Sequence, residues 1–245
     1  MTSAIILAAG QGTRLRGVVS GEPKGFLRLG DQPIVQESIG RLLSAGIGPI
    51  VIVTGYSSAH YDELASHYSG DVCTVRNEKF ADSGSMYSLY CARKFVKGPF
   101  LLLESDLIYE PRALQVLLEH PADEAILLSG PTNAGDEVFV ATKGGYLDGM
   151  SKDPGELDGD IAGELVGICK ISERLFEHMS RIAESAFETS LDFDYETDCL
   201  VAAGREMPIP CPLVSDLLWA EIDDPQHLRR ARDDVYPRIG PMVNA

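Results

Sequence analysis

The sequence predicts an α/β fold, a mixed and mostly parallel sheet flanked by helices. Three observations carry that prediction. Short apolar runs alternate with amphipathic stretches throughout the first half. Runs such as PIVIVT and FLLLE are apolar at every position, the pattern of strands buried on both faces. The first run passes directly into a glycine-rich loop, Gly10-Gln11-Gly12.

The elements follow in order. Ala4–Leu7 reads as the first strand. Pro33–Ala45 reads as an amphipathic helix, with Ile34, Ile39, Leu42 and Leu43 on one face and Gly46 as its stop. Pro49–Thr54 is a buried strand, Ser58–Tyr68 a helix, Val72–Val75 a strand and Ser85–Phe95 a helix. Phe100–Glu104 is again a buried strand, Pro111–Glu119 a helix with proline in its first turn, and Ala125–Ser129 a strand. The second half changes character. Glu137–Thr142 and Tyr146–Met150 read as a β-hairpin around the turn Lys143-Gly144-Gly145. Leu165–Ile171 is a strand, and Ser172 caps the helix that follows. Leu191–Ala203 reads as a helix carrying Asp192, Asp194, Glu196 and Asp198. Met207–Cys211 reads as a short strand and Trp219–Ile222 as the last one. Asp224-Pro225 opens a final helix reaching about Val235, and the stretch from Pro237 reads as loop or linker.

Composition narrows the function. The formal net charge is −16, which disfavours a nucleic-acid partner by repelling its phosphate backbone. A small anionic substrate remains compatible, because a few local cations and a metal reverse the field in one cleft. No apolar run reaches the ~18 residues needed to span a bilayer. Met1-Thr2-Ser3 enters an apolar strand without a basic segment, so no signal peptide is expected. Cys73, Cys91, Cys169, Cys199 and Cys211 form no C-x-x-C pair, which argues against a zinc site or disulfide framework and suits a cytoplasmic protein. The histidines, His227 among them, are scattered and read as core or surface residues. Nothing in the pattern specifies an oligomeric state.

The loop Leu7-Ala8-Ala9-Gly10-Gln11-Gly12-Thr13-Arg14-Leu15 carries the chemistry. Small residues admit close backbone approach, and successive N–H groups form a nest for anionic oxygens. Arg14 adds a cation. The G-x-G-x-x-G dinucleotide pattern fails at Leu15, and no G-K-[ST] follows as in a P-loop. Pro23-Lys24-Gly25 supplies a second loop with a lysine suited to an α-phosphate. Leu101–Asp106 is a buried strand ending in carboxylates, where ligands of open α/β sheets bind. Asp106 there either holds Mg²⁺ or starts a turn.

Leu7 to Leu15 followed by Pro23-Lys24 resembles the signature L-A-A-G-x-G-x-R-[LM]…P-K of the sugar-phosphate and phosphocholine nucleotidyltransferases. Asn77, Phe80–Leu89 and Leu103–Tyr109 resemble the phosphocholine and phosphonate cytidylyltransferases within that family. The resemblance spans about Ala4 to Ile239 and implies a Rossmann-like nucleotidyltransferase fold with a small hairpin and helical acceptor-binding extension. It implies one domain over 1–239, with a nucleotide-binding part over 1–130 and an acceptor-binding part over 131–239. Residues 240–245 would be a tail or linker.

The resemblance also implies roles. The loop residues Leu7, Ala8, Ala9, Gly10, Gly12 and Thr13 would cradle CTP, with Arg14 on its β- and γ-phosphates and Lys24 on the α-phosphate. Asn77, Ser83, Gly84, Ser85 and Ser88 would face cytosine and ribose. Asp106 and Asp223 would hold Mg²⁺, with Glu221 competing for the second position and Asp224 capping the helix. Glu104, Lys143, Tyr195, Glu196 and Asp198 would meet the acceptor, where carboxylates beside an aromatic ring suit an ammonium group. A solvated acidic helix face is the plainer account of that segment. The implied reaction transfers CMP to 2-aminoethylphosphonate or 2-hydroxyethylphosphonate. Phosphocholine and sugar 1-phosphates are alternative acceptors. A glycosyltransferase and a non-catalytic nucleotide-binding regulator are the readings from other classes.

Overall fold

The computed structural model describes residues 2–15, 21–95 and 97–241. In chain order the strands are β1 (Ser3–Ala8), β2 (Ile50–Thr54), β3 (Val72–Arg76), β4 (Phe100–Glu104), β5 (Leu107–Tyr109), β6 (Ala125–Ser129), β7 (Phe139–Lys143), β8 (Tyr146–Ser151), β9 (Ile161–Ile171), β10 (Leu213–Val214) and β11 (Trp219–Glu221). The helices are α1 (Ile34–Ser44), α2 (Ser58–Ser66), α3 (Ser85–Cys91), α4 (Arg112–Glu119), α5 (Glu173–Phe187), α6 (Val201–Gly204), α7 (Pro225–Arg230) and α8 (Tyr236–Ile239). π-Helical turns, Tyr195–Leu200 and Ala231–Val235, run into α6 and α8 respectively.

The main sheet has the order β3-β2-β1-β4-β9-β6-β10, with the β7–β8 hairpin attached to the start of β9. β1 lies between β2 and β4 and is parallel to both. β9 runs antiparallel between β4 and β6, which makes the sheet mixed. Side chains alternate across a strand, so both faces of these apolar strands must be covered. One face sends Ile5, Leu102 and Leu128 against Met86 and Leu89 of α3 and Phe176 and Met179 of α5. The other sends Ile6, Leu101 and Leu103 against Ile39 and Leu42 of α1 and Leu114 and Leu117 of α4. This double burial is why the strands read as unbroken apolar runs.

A separate two-stranded ribbon pairs β5 antiparallel with β11, Leu107 opposite Glu221 and Tyr109 opposite Trp219. Ile108, Ala220 and Ile222 pack beneath it against Val235 and Tyr236. Helix α1 fastens this layer through a buried polar edge. Glu37 accepts from Tyr236 Oη at 2.6 Å and from Arg41 Nη2 at 3.1 Å. Ser38 Oγ and Tyr109 Oη are hydrogen-bonded at 2.8 Å.

Several elements depart from expectation. The hairpin turn is Gly144-Gly145 alone, both at positive φ, and Lys143 belongs to β7. The segment before Tyr195 is extended rather than helical, because Gly84 N–H bonds Leu191 O and Met86 N–H bonds Phe193 O. Met207–Cys211 forms no regular strand: Pro210 bridges Tyr146, and Ile209, Pro210 and Cys211 make single backbone bonds to Leu147, Ile126 and Gly145; the strand there is β10, two residues further on. The C-terminal helical segment continues through Ile239 instead of loosening at Pro237. Of the expected 240–245 tail, 242–245 lie outside the described residues. The Ser172 and Asp224 caps form as expected, accepting from Leu175 N and from Gln226 and His227 N respectively.

Tyr236→Phe removes one hydrogen bond from a carboxylate that is 2% exposed. A loss of about 1–3 kcal/mol is expected for an under-satisfied buried group. Urea denaturation should show a lower midpoint with an unchanged slope; an unchanged midpoint would mean that Glu37 gains nothing from this bond.

Candidate active site

The C-terminal ends of β1 and β4, with the ribbon beside them, bring the sequence-distant polar residues together. After β1 the chain turns at Gly12 (φ 57°), and a Cβ there would lie 2.9 Å from Lys24 Cγ. The second glycine of the loop is therefore needed twice, for its left-handed backbone and for the passage of Lys24 across it. Gly10 has open space where a Cβ would stand, so the loop front is free for a ligand. Thr13 and Arg14 are exposed at its tip, while Leu7, Ala8 and Ala9 are buried behind it.

Lys24 begins a short 3-10 turn, Lys24–Phe26. Gly25 lets that turn press onto the chain before Asp106, since a Cβ would come within 3.1 Å of Ser105 O. Lys24 Nζ then donates to Asp106 Oδ2 at 3.1 Å and to Asp223 Oδ1. Arg14 Nη2 donates to Asp223 Oδ2 at 2.9 Å. Burial by itself would lower the Lys24 ammonium, but Asp106 and Asp223 hold it above the ordinary lysine value. Burial pushes Asp106 up despite Lys24, whereas at Asp223 the lysine and Arg14 outweigh burial and hold the carboxyl below its usual range.

More carboxylates crowd the same corner. Glu104 and Asp106 alternate out of β4, and Glu221 and Asp223 out of β11, so all four converge. Ligand oxygens of Glu104, Asp106 and Glu221 lie within 4.8 Å of one another. Burial first, then mutual repulsion with Glu196 and Asp106, drives Glu104 and Glu221 well above the carboxylate range. Such a set of hard oxygen donors fits a divalent cation that also takes phosphate oxygens. Glu221 and Asp223, alternatives in the sequence, both stand at the site.

A narrow cavity of about 50 Å³ opens beside these groups, with Glu104, Glu196, Glu221, Trp219, Lys152 and Arg230 in its wall. Burial lifts Glu196 to about 7. Tyr195 is fully buried behind it. Lys143 is exposed at the hairpin tip and Asp198 is exposed, bonded to the backbone N of Asp194; neither lines this cavity. Lys152 and Arg230 do, and the sequence reading missed both. Lys152 follows the hairpin by one residue, so only the pairing of β8 shows where it points. Trp219 Nε1 is buried in this wall without a hydrogen-bond partner.

The Ser83–Ser88 stretch is organised from below. Asn77, fully buried, donates to Ser83 Oγ and Ser88 Oγ, each at 3.0 Å. Ser85 Oγ donates to Asp194 Oδ1 at 2.9 Å and accepts from Tyr195 N at 3.0 Å. Gly84 meets the Phe193 backbone so closely that a Cβ would lie 2.6 Å from it. The expected base-facing and acceptor-facing segments are thus in direct contact.

A family model described as MobA-like NTP transferase domain matches residues 4–189. CMP-5'-(3-aminopropyl)phosphonate synthase of Streptomyces rubellomurinus is 29% identical over 93% of the chain, which spans 38% of that protein's length. Choline-phosphate cytidylyltransferase of Streptococcus pneumoniae is 30% identical over 60% of the chain and 68% of its own length. The inositol-1-phosphate CTP transferase structure from T. maritima superposes with a TM-score of 0.84 at 22% identity, covering 100% of this chain and 98% of that one.

The raised Glu196 carboxyl makes a pH prediction. A carboxyl lifted in the folded state binds a proton that the unfolded chain releases, so its contribution to stability falls as pH rises from 4.5 to about 7. In a chelator-containing buffer, Glu196→Gln should gain stability over the parent across that window and hold a constant difference above it. Parallel stability curves for the two proteins from pH 4.5 to 7 would contradict this.

Proposed function

The chain belongs to the MobA-like NTP transferase domain family and is a nucleotidyltransferase, and from that premise we propose that it transfers CMP from CTP to a small phosphonate, 2-aminoethylphosphonate or 2-hydroxyethylphosphonate. The observation that carries the reading is Lys24, reaching past the glycine loop to lie between Asp106 and Asp223. The named activities of the Streptomyces and pneumococcal relatives support a cytidylyl donor and a small phosphorus-containing acceptor. The free thiols of all five cysteines accord with a reducing, cytoplasmic setting.

In this reading residues 1–130 hold the nucleotide and residues 131–239 the acceptor. Backbone amides of Ala8–Thr13 and the Arg14 guanidinium bind the β- and γ-phosphates. Ser83–Ser88, supported by Asn77, faces cytosine and ribose. Lys24 moves its charge from the carboxylates to the α-phosphate. Asp106 and Asp223, with Glu221 and Glu104 beside them, would hold Mg²⁺, which supplies neutralisation of phosphate charge. The acceptor oxygen is already anionic near neutral pH, since a phosphate second pKa is about 6, and no strong base is needed. A bond forms from that oxygen to the α-phosphorus as the α–β bridging P–O bond breaks, and pyrophosphate departs with the electron pair. Lys152 and Arg230 lie where the acceptor's anionic head would enter, and Glu196 where its ammonium would sit.

The test is pyrophosphate release with magnesium, each of the four nucleoside triphosphates and a panel of 2-aminoethylphosphonate, 2-hydroxyethylphosphonate, phosphocholine and glucose 1-phosphate. Turnover is expected with CTP and a phosphonate. Turnover with a sugar phosphate alone would overturn the acceptor, and nucleotide binding without turnover would indicate a regulator. Lys24→Ala and Asp106→Ala should each lose at least about a hundredfold in rate, the scale of one missing electrostatic contact.

A further inference from the structure

His227 lies on α7, four residues after Asp223, and is 4% exposed. Its Nδ1 accepts from the Asp223 backbone N–H at 3.4 Å, which assigns the ring proton of a neutral imidazole to Nε2. Nε2 faces Ala134 O at 3.2 Å and Asp136 Oδ1 at 3.2 Å. The histidine therefore joins two segments that are far apart in sequence.

The second of these segments, 131–138, runs from β6 to β7. It contributes Thr132, Ala134, Asp136, Glu137 and Val138 to the cavity wall beside the carboxylates. Glu164 anchors its start, accepting from Thr132 N at 2.9 Å. Leu165 N anchors its end, donating to Val138 O at 2.9 Å. Between those anchors, His227 reaches it at 3.2 Å, Arg14 approaches Asp136 at 4.0 Å, and Lys152 and Arg230 act on Asp136 and Glu137 through charge. Arg14 also binds Asp223, so Arg14, Asp223, His227 and Asp136 close a ring.

We propose that His227 is a positioning residue, holding the 131–138 wall of the acceptor cavity in register with the Asp223 corner. It touches no reacting atom. Its effect is to set where an acceptor rests relative to the α-phosphate, and a shift of about 1 Å there can cost about a hundredfold in rate. The part that concerns the acceptor rests on the function proposed above; the part that concerns the wall does not.

The experiment uses the full chain and two readouts. Hydrogen–deuterium exchange follows residues 131–138 in the parent, His227→Ala, His227→Gln and Asp136→Ala. Steady-state kinetics give KM for CTP and for the phosphonate separately. His227→Ala should speed exchange in 131–138 by about tenfold or more and raise the phosphonate KM by a similar factor, with KM for CTP within about twofold. His227→Gln, which keeps an N–H donor for Ala134 O, should recover most of both. Asp136→Ala removes the side-chain half of the tie and leaves His227 its bond to Ala134 O, so it should speed exchange measurably but less than His227→Ala, which keeps the test open if His227→Ala fails to fold. Unchanged exchange in 131–138 overturns the proposal, as does an equal rise in both KM values. If the parent turns over no phosphonate, the function proposed above falls, and exchange alone decides whether His227 holds the wall.

Discussion

Like charge gathered at one end of a sheet is the constraint around which this molecule is built. Glu104, Asp106, Glu221 and Asp223 leave two strands on alternate positions and meet in a buried corner. Such a cluster cannot all ionise without cations close by. Lys24 provides one cation from within the fold, and the local sequence is shaped to deliver it. Gly12 clears its path, Gly25 lets its turn press against Ser105, and Arg14 secures the far oxygen of Asp223. At Glu104 and Glu221, where burial and the neighbouring carboxylates outweigh Lys24, the carboxyls rise well above their ordinary range. The corner carries more negative charge than its own cations balance, a set of hard oxygen donors that fits a divalent cation.

The rigid setting of that corner comes from further away. The β5–β11 ribbon fixes the spacing between Asp106 and Asp223, one residue before the first strand and two after the second. Helix α1 grips both sides of this arrangement, Tyr109 through Ser38 and Tyr236 through Glu37. Buried polar contacts of this kind are costly when incomplete, and here each side chain finds its partner.

What could be read in the chain was local. The glycine loop, the following Lys24, the strand-end Asp106 and the Ser172 and Asp224 caps depend on residues within a few positions of one another; both caps form, and Lys24 meets Asp106. The three-residue β5 and two-residue β10 are too short for periodicity to mark. Lys143 is the lysine a hairpin pattern brings forward, and only the pairing of β8 and the course of the chain into β9 show that it sits at an exposed tip while Lys152 lines the cavity wall. His227 was set aside as one scattered histidine among several. Its significance comes from a contact with residues 134–136, nearly a hundred positions earlier, that no local pattern announces. The contact of Gly84 with Phe193 is of the same kind. It also explains why an acidic segment that looked helpful to a helix stays extended until Tyr195.

Strand β9 divides its pairing unevenly. Its last residues bond β4 and its first residues bond β7 of the hairpin, while β6 pairs with it from Glu164 to Lys170. β1, which leads into the glycine loop, pairs with β2 and β4 rather than with that first stretch. Heritable change can therefore accumulate in the hairpin while β1 and β4 stay as they are, whereas the 131–138 connection is tied to the Asp223 corner through His227 and Arg14. Under the function proposed above, a lineage could exchange one small acid for another by altering the outer end of a single strand's neighbourhood.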